Sequence, residues 1–153
     1  MKKVARETKK AKRKGGRVAR FSISMEEELL EAFDSLIARK GYSNRSEAVR
    51  DLIRNRLVVD EWERAKGDVV AAVAVVYDHN KHIVVDRLMG LQHEFQKHIV
   101  CTTHVHLDEN NCLEVVILRG KPRSVREVAD KLVSLRGVKH GAVMATTTGK
   151  ELI

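Results

Sequence analysis

The stretch from Ile99 to Leu118 constrains the fold more than any other part of the chain. Ile99-Val-Cys-Thr-Thr-His-Val-His-Leu107 has the composition of a β-strand, and Asp108-Glu-Asn-Asn111 is turn chemistry. Cys112-Leu-Glu-Val-Val-Ile-Leu118 predicts a second strand. Side chains along a strand alternate between faces, so His104 and His106 point the same way. Folding the hairpin about Glu109 brings Cys112 opposite His106, on that same face. Two imidazoles and one thiol then converge without any further assumption about the fold. Nitrogen and sulfur together suit a transition metal and exclude calcium or magnesium as natural occupants. A His-x-His pair alone is equally what a solvated strand face looks like. The same-face cysteine is what favours a ligand set. Cys101 has the opposite parity to His104 and is assigned to the core as a small hydrophobe. The fourth ligand cannot come from this hairpin.

A chain of 153 residues is enough for one ordinary domain or two small ones. Aromatics are only 4% of it, so its core is expected to be aliphatic. No apolar run approaches membrane-spanning length, and no apolar segment follows the basic start as a signal peptide requires. The expectation is a soluble, cytoplasmic protein with no membrane association. Two cysteines on opposite faces of one hairpin do not make a disulfide framework. The net charge of +8 is concentrated at one end. Residues 1–20 carry ten Lys or Arg against the single acid Glu7, a net +9, which leaves −1 for the rest of the chain. Such a block predicts a disordered tail over residues 1–18 that attracts a polyanion.

Beyond the tail, Arg20-Phe21-Ser22-Ile23-Ser24-Met25 alternates polar and apolar. It predicts a short strand with Arg20, Ser22 and Ser24 on one face. Ser24 with Glu27 reads as a capping box for a first helix, whose stripe is Leu29, Leu30, Phe33, Leu36 and Ile37 and whose stop is Gly41. Asn44 with Glu47 caps a second helix running to about Glu63, with Ala48, Val49, Leu52, Ile53 and Leu57 inward. Lys66-Gly67-Asp68 breaks it and reads as a hinge within a linker over residues 64–68. One strand and two helices over residues 19–63 cannot bury a core alone, and a lone strand leaves both edges open. The economical solution is a dimer in which two strands pair antiparallel and four helices share a core. The paired ribbon then presents Arg20, Ser22 and Ser24 twice, in a shape that fits the DNA major groove. The start of the second helix, with Asn44, Arg45 and Ser46, offers N–H groups to a phosphate. The strand, Glu26-Glu-Glu-Leu-Leu30 and Gly41-Tyr-Ser-Asn-Arg-Ser-Glu-Ala-Val-Arg-Asp51 resemble a ribbon-helix-helix repressor.

Residues 69–150 follow a different pattern. Val69 to Tyr77 predicts a buried strand, and His79 to Lys97 a helix with Ile83, Val84, Leu88, Leu91 and Phe95 on one face. The hairpin comes next. Ser124 with Glu127 is expected to cap a further helix, with Pro122 in the preceding loop, and Val138 to Thr146 a last strand. The order βαββαβ is ferredoxin-like, so the whole chain reads as α+β. It has no Gly-rich phosphate loop, nucleophile elbow or paired acid motif, and nothing argues for an enzyme.

A ribbon-helix-helix unit followed by βαββαβ with Gln92-His93, then His104-Val-His106, then Cys112-Leu-Glu114 is similar to the nickel-responsive regulators of the NikR family. The resemblance covers residues 20 to about 146. It implies an ACT-type second domain and a homotetramer built as a dimer of dimers. It implies one Ni(II) per subunit in a square plane at the tetramer interface, held by His104, His106 and Cys112 with His93 from a neighbouring subunit. Tyr77 and Glu114 match positions that support those ligands. Glu47 and Asp51 match positions of a second, weakly held cation. The implied function is nickel-dependent repression of nickel uptake genes through a palindromic operator. His79, His82 and His98 are assigned to the surface. Two features depart from the family pattern: the long basic tail, and Glu94-Phe-Gln-Lys97 where a histidine run is often found. Two other readings are compatible with the residues. One is a ribbon-helix-helix repressor sensing another small ligand. The other is a nickel storage or delivery protein, or a metallo-enzyme with an open coordination position.

Overall fold

The computed structural model describes residues 19–64, 66–150 and 152; the expected basic tail over 1–18 lies outside them. Two helices, α1 (Glu27–Arg39) and α2 (Arg45–Arg64), precede a βαββαβ unit. That unit comprises β1 (Val69–Asp78), α3 (His82–Glu94), β2 (Ile99–His106), β3 (Asn111–Gly120), α4 (Pro122–Val133) and β4 (Val138–Thr147). Its four strands form one antiparallel sheet in the order β2-β3-β1-β4. This is the ferredoxin-like, ACT-type arrangement anticipated above.

Alternation decides which face is buried. Val69, Ala71, Val73, Val75 and Tyr77 of β1 share a face with Val116 and Leu118 of β3, and α3 and α4 cover it. Val84, Leu88, Val125, Val128, Ala129 and Leu132 are the helix side of that core, which is aliphatic as the composition requires. Among the described residues, no helix lies on the other face. There Val70, Ala72, Ala74 and Val76 lie beside Leu113, Val115 and Ile117, with Ala142 and Met144 across the β1–β4 pairing.

Arg20–Met25 makes no strand pairing in the single chain, since the expected pairing needs a second copy and a strand needs a hydrogen-bonding neighbour. Phe21 and Ile23 are left 68% and 62% exposed among the described residues. Other local expectations are corrected. Ser24 does not cap α1: Glu26 takes that position, with no side-chain cap. Asn44 does cap α2, its Oδ1 accepting the Glu47 N–H at 2.9 Å. α3 starts at His82, not His79, because Asp78 makes a turn, accepting the Asn80 and Lys81 N–H groups. α4 starts at Pro122, not after Ser124. Proline suits a first helical position, where its missing N–H costs nothing. Cys101 is exposed, not core. β2 is the edge strand, a register shift between Ile99 and Cys101 interrupts its pairing, and Cys101 faces outward beside Ile117 on the uncovered side.

The Lys66–Asp68 joint is not a free hinge. Trp62 before it and Val69 after it belong to the same buried cluster.

The turn from α4 into β4 depends on Gly137, at φ 112°. A Cβ there would lie 2.8 Å from Val84 Cβ. Gly137→Ala combines a backbone conformation that L-residues avoid with a core clash. It is expected to cost about 1–3 kcal/mol, read as a lower thermal unfolding midpoint.

Candidate metal centre and nucleic-acid interface

The hairpin register places the donors. His106 pairs with Cys112, and His104 with Glu114, across β2 and β3. Tyr77 of β1 pairs with Cys112 from the other side. All five side chains are on the helix-covered face, at the end of the sheet where that cover stops. Cys112 is fully buried. Its Sγ is 3.2 Å from His106 Nδ1 and 3.2 Å from His79 Nδ1. Among the described residues, His79, His106 and Cys112 are the one group of three donors close enough to hold an ion, all within 4.8 Å of one another. His104 is beside them, its ring centroid 5.0 Å from that of His106. Two imidazoles and a thiol in such proximity fit a borderline transition metal such as Ni(II).

A buried network orients His104. Glu114 is buried and accepts from the Tyr77 hydroxyl at 3.0 Å and from Gln92 Nε2 at 2.6 Å. The Thr102 hydroxyl in turn donates to Gln92 at 3.2 Å. Tyr77 has one proton, and a carboxylate can only accept it. The 3.2 Å contact between Tyr77 Oη and His104 Nδ1 is then an imidazole N–H donating to the phenol oxygen. That fixes the tautomer and leaves the His104 Nε2 lone pair free to ligate, as metal-bound histidines require. Burial, then the Glu114 charge, pushes the Tyr77 phenol well above its ordinary pKa, so it remains a donor. Burial also raises the Cys112 thiol, helped by the Asp108 and Glu114 carboxylates. A bound cation reverses that balance and favours the thiolate.

His93 is apart from this group. It is exposed on the last turn of α3, next to Gln92, and it does not reach the cluster within one chain. His79, assigned to the surface from sequence, is half-buried and part of the cluster. The signal was present. His79 has the parity of Tyr77, and its N–H continues the sheet by donating to the Asn110 carbonyl at 3.0 Å. His82 and His98 do not join the group.

At the other end of the chain Arg20, Ser22 and Ser24 are exposed, as are Asn44, Arg45 and Ser46. Asn44 is occupied by its capping bond. Arg45 makes two bonds to Asp34 of α1, at 2.7 and 2.6 Å, and holds that carboxyl below its usual pKa. Glu47 accepts from Ser43, and Asp51 from Tyr42 and Arg54, so each carboxylate has a partner within the chain. Among the described residues, these two gather no third ligand for a cation. No described helix is long and apolar enough to cross a membrane.

The comparisons with known proteins match both halves. A model described as the NikR C-terminal nickel-binding domain matches residues 70–146, and one for ribbon-helix-helix proteins of the CopG family matches residues 19–58. A relative from Thermococcus kodakarensis is 50% identical over 90% of this chain and 99% of its own length. One from Geobacter metallireducens is 51% identical over the same shares, and one from Solibacter usitatus 50% identical over 88% of this chain and 97% of its own. Each of the three is described as a "Putative nickel-responsive regulator". With the site geometry and both domain matches in agreement, this chain belongs to the nickel-responsive family of transcription regulators, with a ribbon-helix-helix unit and a NikR-type nickel-binding domain, and is not an enzyme.

Proposed function

We propose that this protein represses nickel uptake genes by binding a palindromic operator in its nickel-loaded form. The observation that carries the reading is the convergence of His106 and Cys112 beside a His104 whose tautomer is set by Tyr77 and Glu114. His104, His106 and Cys112 are three ligands of one Ni(II) per subunit, and His93 of a neighbouring subunit is the fourth. The exposed position of His93 suits that role. Bound nickel supplies the link between subunits that these residues cannot make alone.

Assembly is a homotetramer, a dimer of dimers. Two uncovered apolar surfaces support it: Phe21, Ile23 and Met25 before α1, and the helix-free face of the sheet. Pairing of the first surface makes the ribbon, which presents Arg20, Ser22 and Ser24 to base edges while Asn44, Arg45 and Ser46 approach phosphates. Glu47 and Asp51 take a second, weaker cation only once another chain or domain adds ligands. The basic tail adds sequence-independent affinity. The protein works in the cytoplasm, where its operator is.

His79 favours a second reading of the ligand set, with His79, His106 and Cys112 holding the metal inside one chain. It changes the donors and not the function.

The function is tested by DNA binding with and without one equivalent of Ni(II) at fixed salt. The probe is a duplex selected from a random pool by the nickel-loaded protein. Nickel is expected to tighten binding by about 5- to 150-fold, the usual range of coupling between sites. Because coupling is reciprocal, the duplex should tighten nickel binding by the same factor. Equal affinity of both forms for the duplex would defeat the reading.

A further inference from the structure

α2 is twenty residues long, about 30 Å from the Asn44 cap to Arg64. Its two ends belong to different units. The N-terminal end is tied to α1 by Arg45–Asp34. The C-terminal end is packed into the metal-binding domain. Trp62 there is only 6% exposed and belongs to that domain's core. Its indole N–H donates to the Thr146 carbonyl of β4 at 2.8 Å. The Arg126 guanidinium of α4 lies 5.7 Å from the indole centroid, within cation–π range. Val58, one turn earlier, packs against the same cluster. Beyond the joint, Asp68 faces Lys121 at 3.4 Å, and Val69 is fully buried. Both sides of the Lys66–Asp68 turn are therefore anchored to one domain. Reorienting the DNA-binding unit requires Trp62 to leave its notch between β4 and α4.

We propose that Trp62 is a positioning residue for DNA binding: seated in this notch, it makes α2 a rigid lever and sets the spacing at which two ribbons meet two half-sites. The inference rests on the nickel-dependent DNA binding proposed above. It adds that the DNA-competent form is the one with Trp62 seated. An indole buries a large apolar area and has a polar tip that needs a partner. Trp62 has both in the notch.

Trp62 is the sole tryptophan of the chain, so its fluorescence reports directly on the notch. In the full-length nickel-loaded protein on its selected duplex, emission should be blue-shifted and shielded from acrylamide. Trp62→Ala should keep nickel stoichiometry and the thiolate-to-nickel band, since Trp62 touches no metal ligand. It should bind the selected duplex roughly tenfold more weakly, within the usual range of coupling. It should also lose the preference for the native half-site spacing over one changed by about 5 bp, half a helical turn. A merely structural role would lower the unfolding temperature and leave the spacing preference intact. Trp62→Phe keeps an aromatic ring in the notch but loses the N–H and part of the indole's volume, so it should fold and show an intermediate loss. Solvent-exposed emission from the DNA-bound wild type would overturn the proposal, as would a native spacing preference in folded Trp62→Ala protein. A shielded tryptophan in a wild type without nickel-dependent DNA binding would defeat the regulatory reading while upholding the anchored joint.

Discussion

Cys112→Ser is expected to abolish the thiolate-to-metal charge-transfer band of the nickel-loaded protein, whereas Cys101→Ser should leave it unchanged. The difference follows from parity and register. Cys112 Sγ is at the centre of the cluster, 3.2 Å from two imidazole nitrogens. Cys101 faces the other side of the sheet and is exposed. Serine cannot replace the thiolate, because a hydroxyl does not deprotonate at neutral pH and is a poorer match to a borderline metal. Losing a residue that only supports a ligand costs about 10- to 100-fold in metal affinity, so losing the sulfur itself should cost more than about 100-fold. Absorption spectra and a competitive nickel titration read both effects. A band that survives Cys112→Ser and disappears in Cys101→Ser would reverse the assignment.

What could be read from sequence here was whatever depends on parity within one hairpin. Strand periodicity is two and the turn is short, so the register of His106 with Cys112 follows with little freedom. The same reasoning failed for Cys101. Parity told which face it occupies and not whether that face is covered, and β2 is an edge strand with no described helix on its outer side. His79 was missed because it follows the last paired residue of β1, where a helix was expected to begin; the turn made by Asp78 keeps it on the sheet's parity. The ribbon was legible as an alternation and absent as a strand, since its hydrogen bonds need a second chain. Trp62 carried no local signal. Its partners, Thr146 and Arg126, are 84 and 64 positions away, and only tertiary structure brings them to the end of α2.

Mixed subunits should show His93 of a neighbouring subunit completing the metal centre. His93→Ala and His104→Ala proteins are each expected to lose nickel binding. If His93 serves a neighbouring subunit, a site needs an intact His104-His106-Cys112 hairpin from one chain and an intact His93 from another. Each variant retains the half that the other lacks. In tetramers assorted at random from equal amounts, roughly a quarter of the sites should then be whole, the product of two even choices across a symmetric interface. Nickel bound per chain, measured after subunit exchange has been verified, should rise from near zero to that level. A site made by His79, His106 and Cys112 inside one chain predicts otherwise. There His93→Ala protein keeps nickel unaided, and His79→Ala loses it. The geometry sets up the contrast: His79 Nδ1 is within ligand reach of the sulfur in one chain, whereas His93 is exposed on α3, one residue beyond the Gln92 that ties this helix to Glu114. Recovery in the mixture would also make nickel occupancy depend on assembly. It would then tie the metal to the placement of the subunits that carry the ribbons, which is the link a nickel-dependent repressor needs between its metal centre and its DNA.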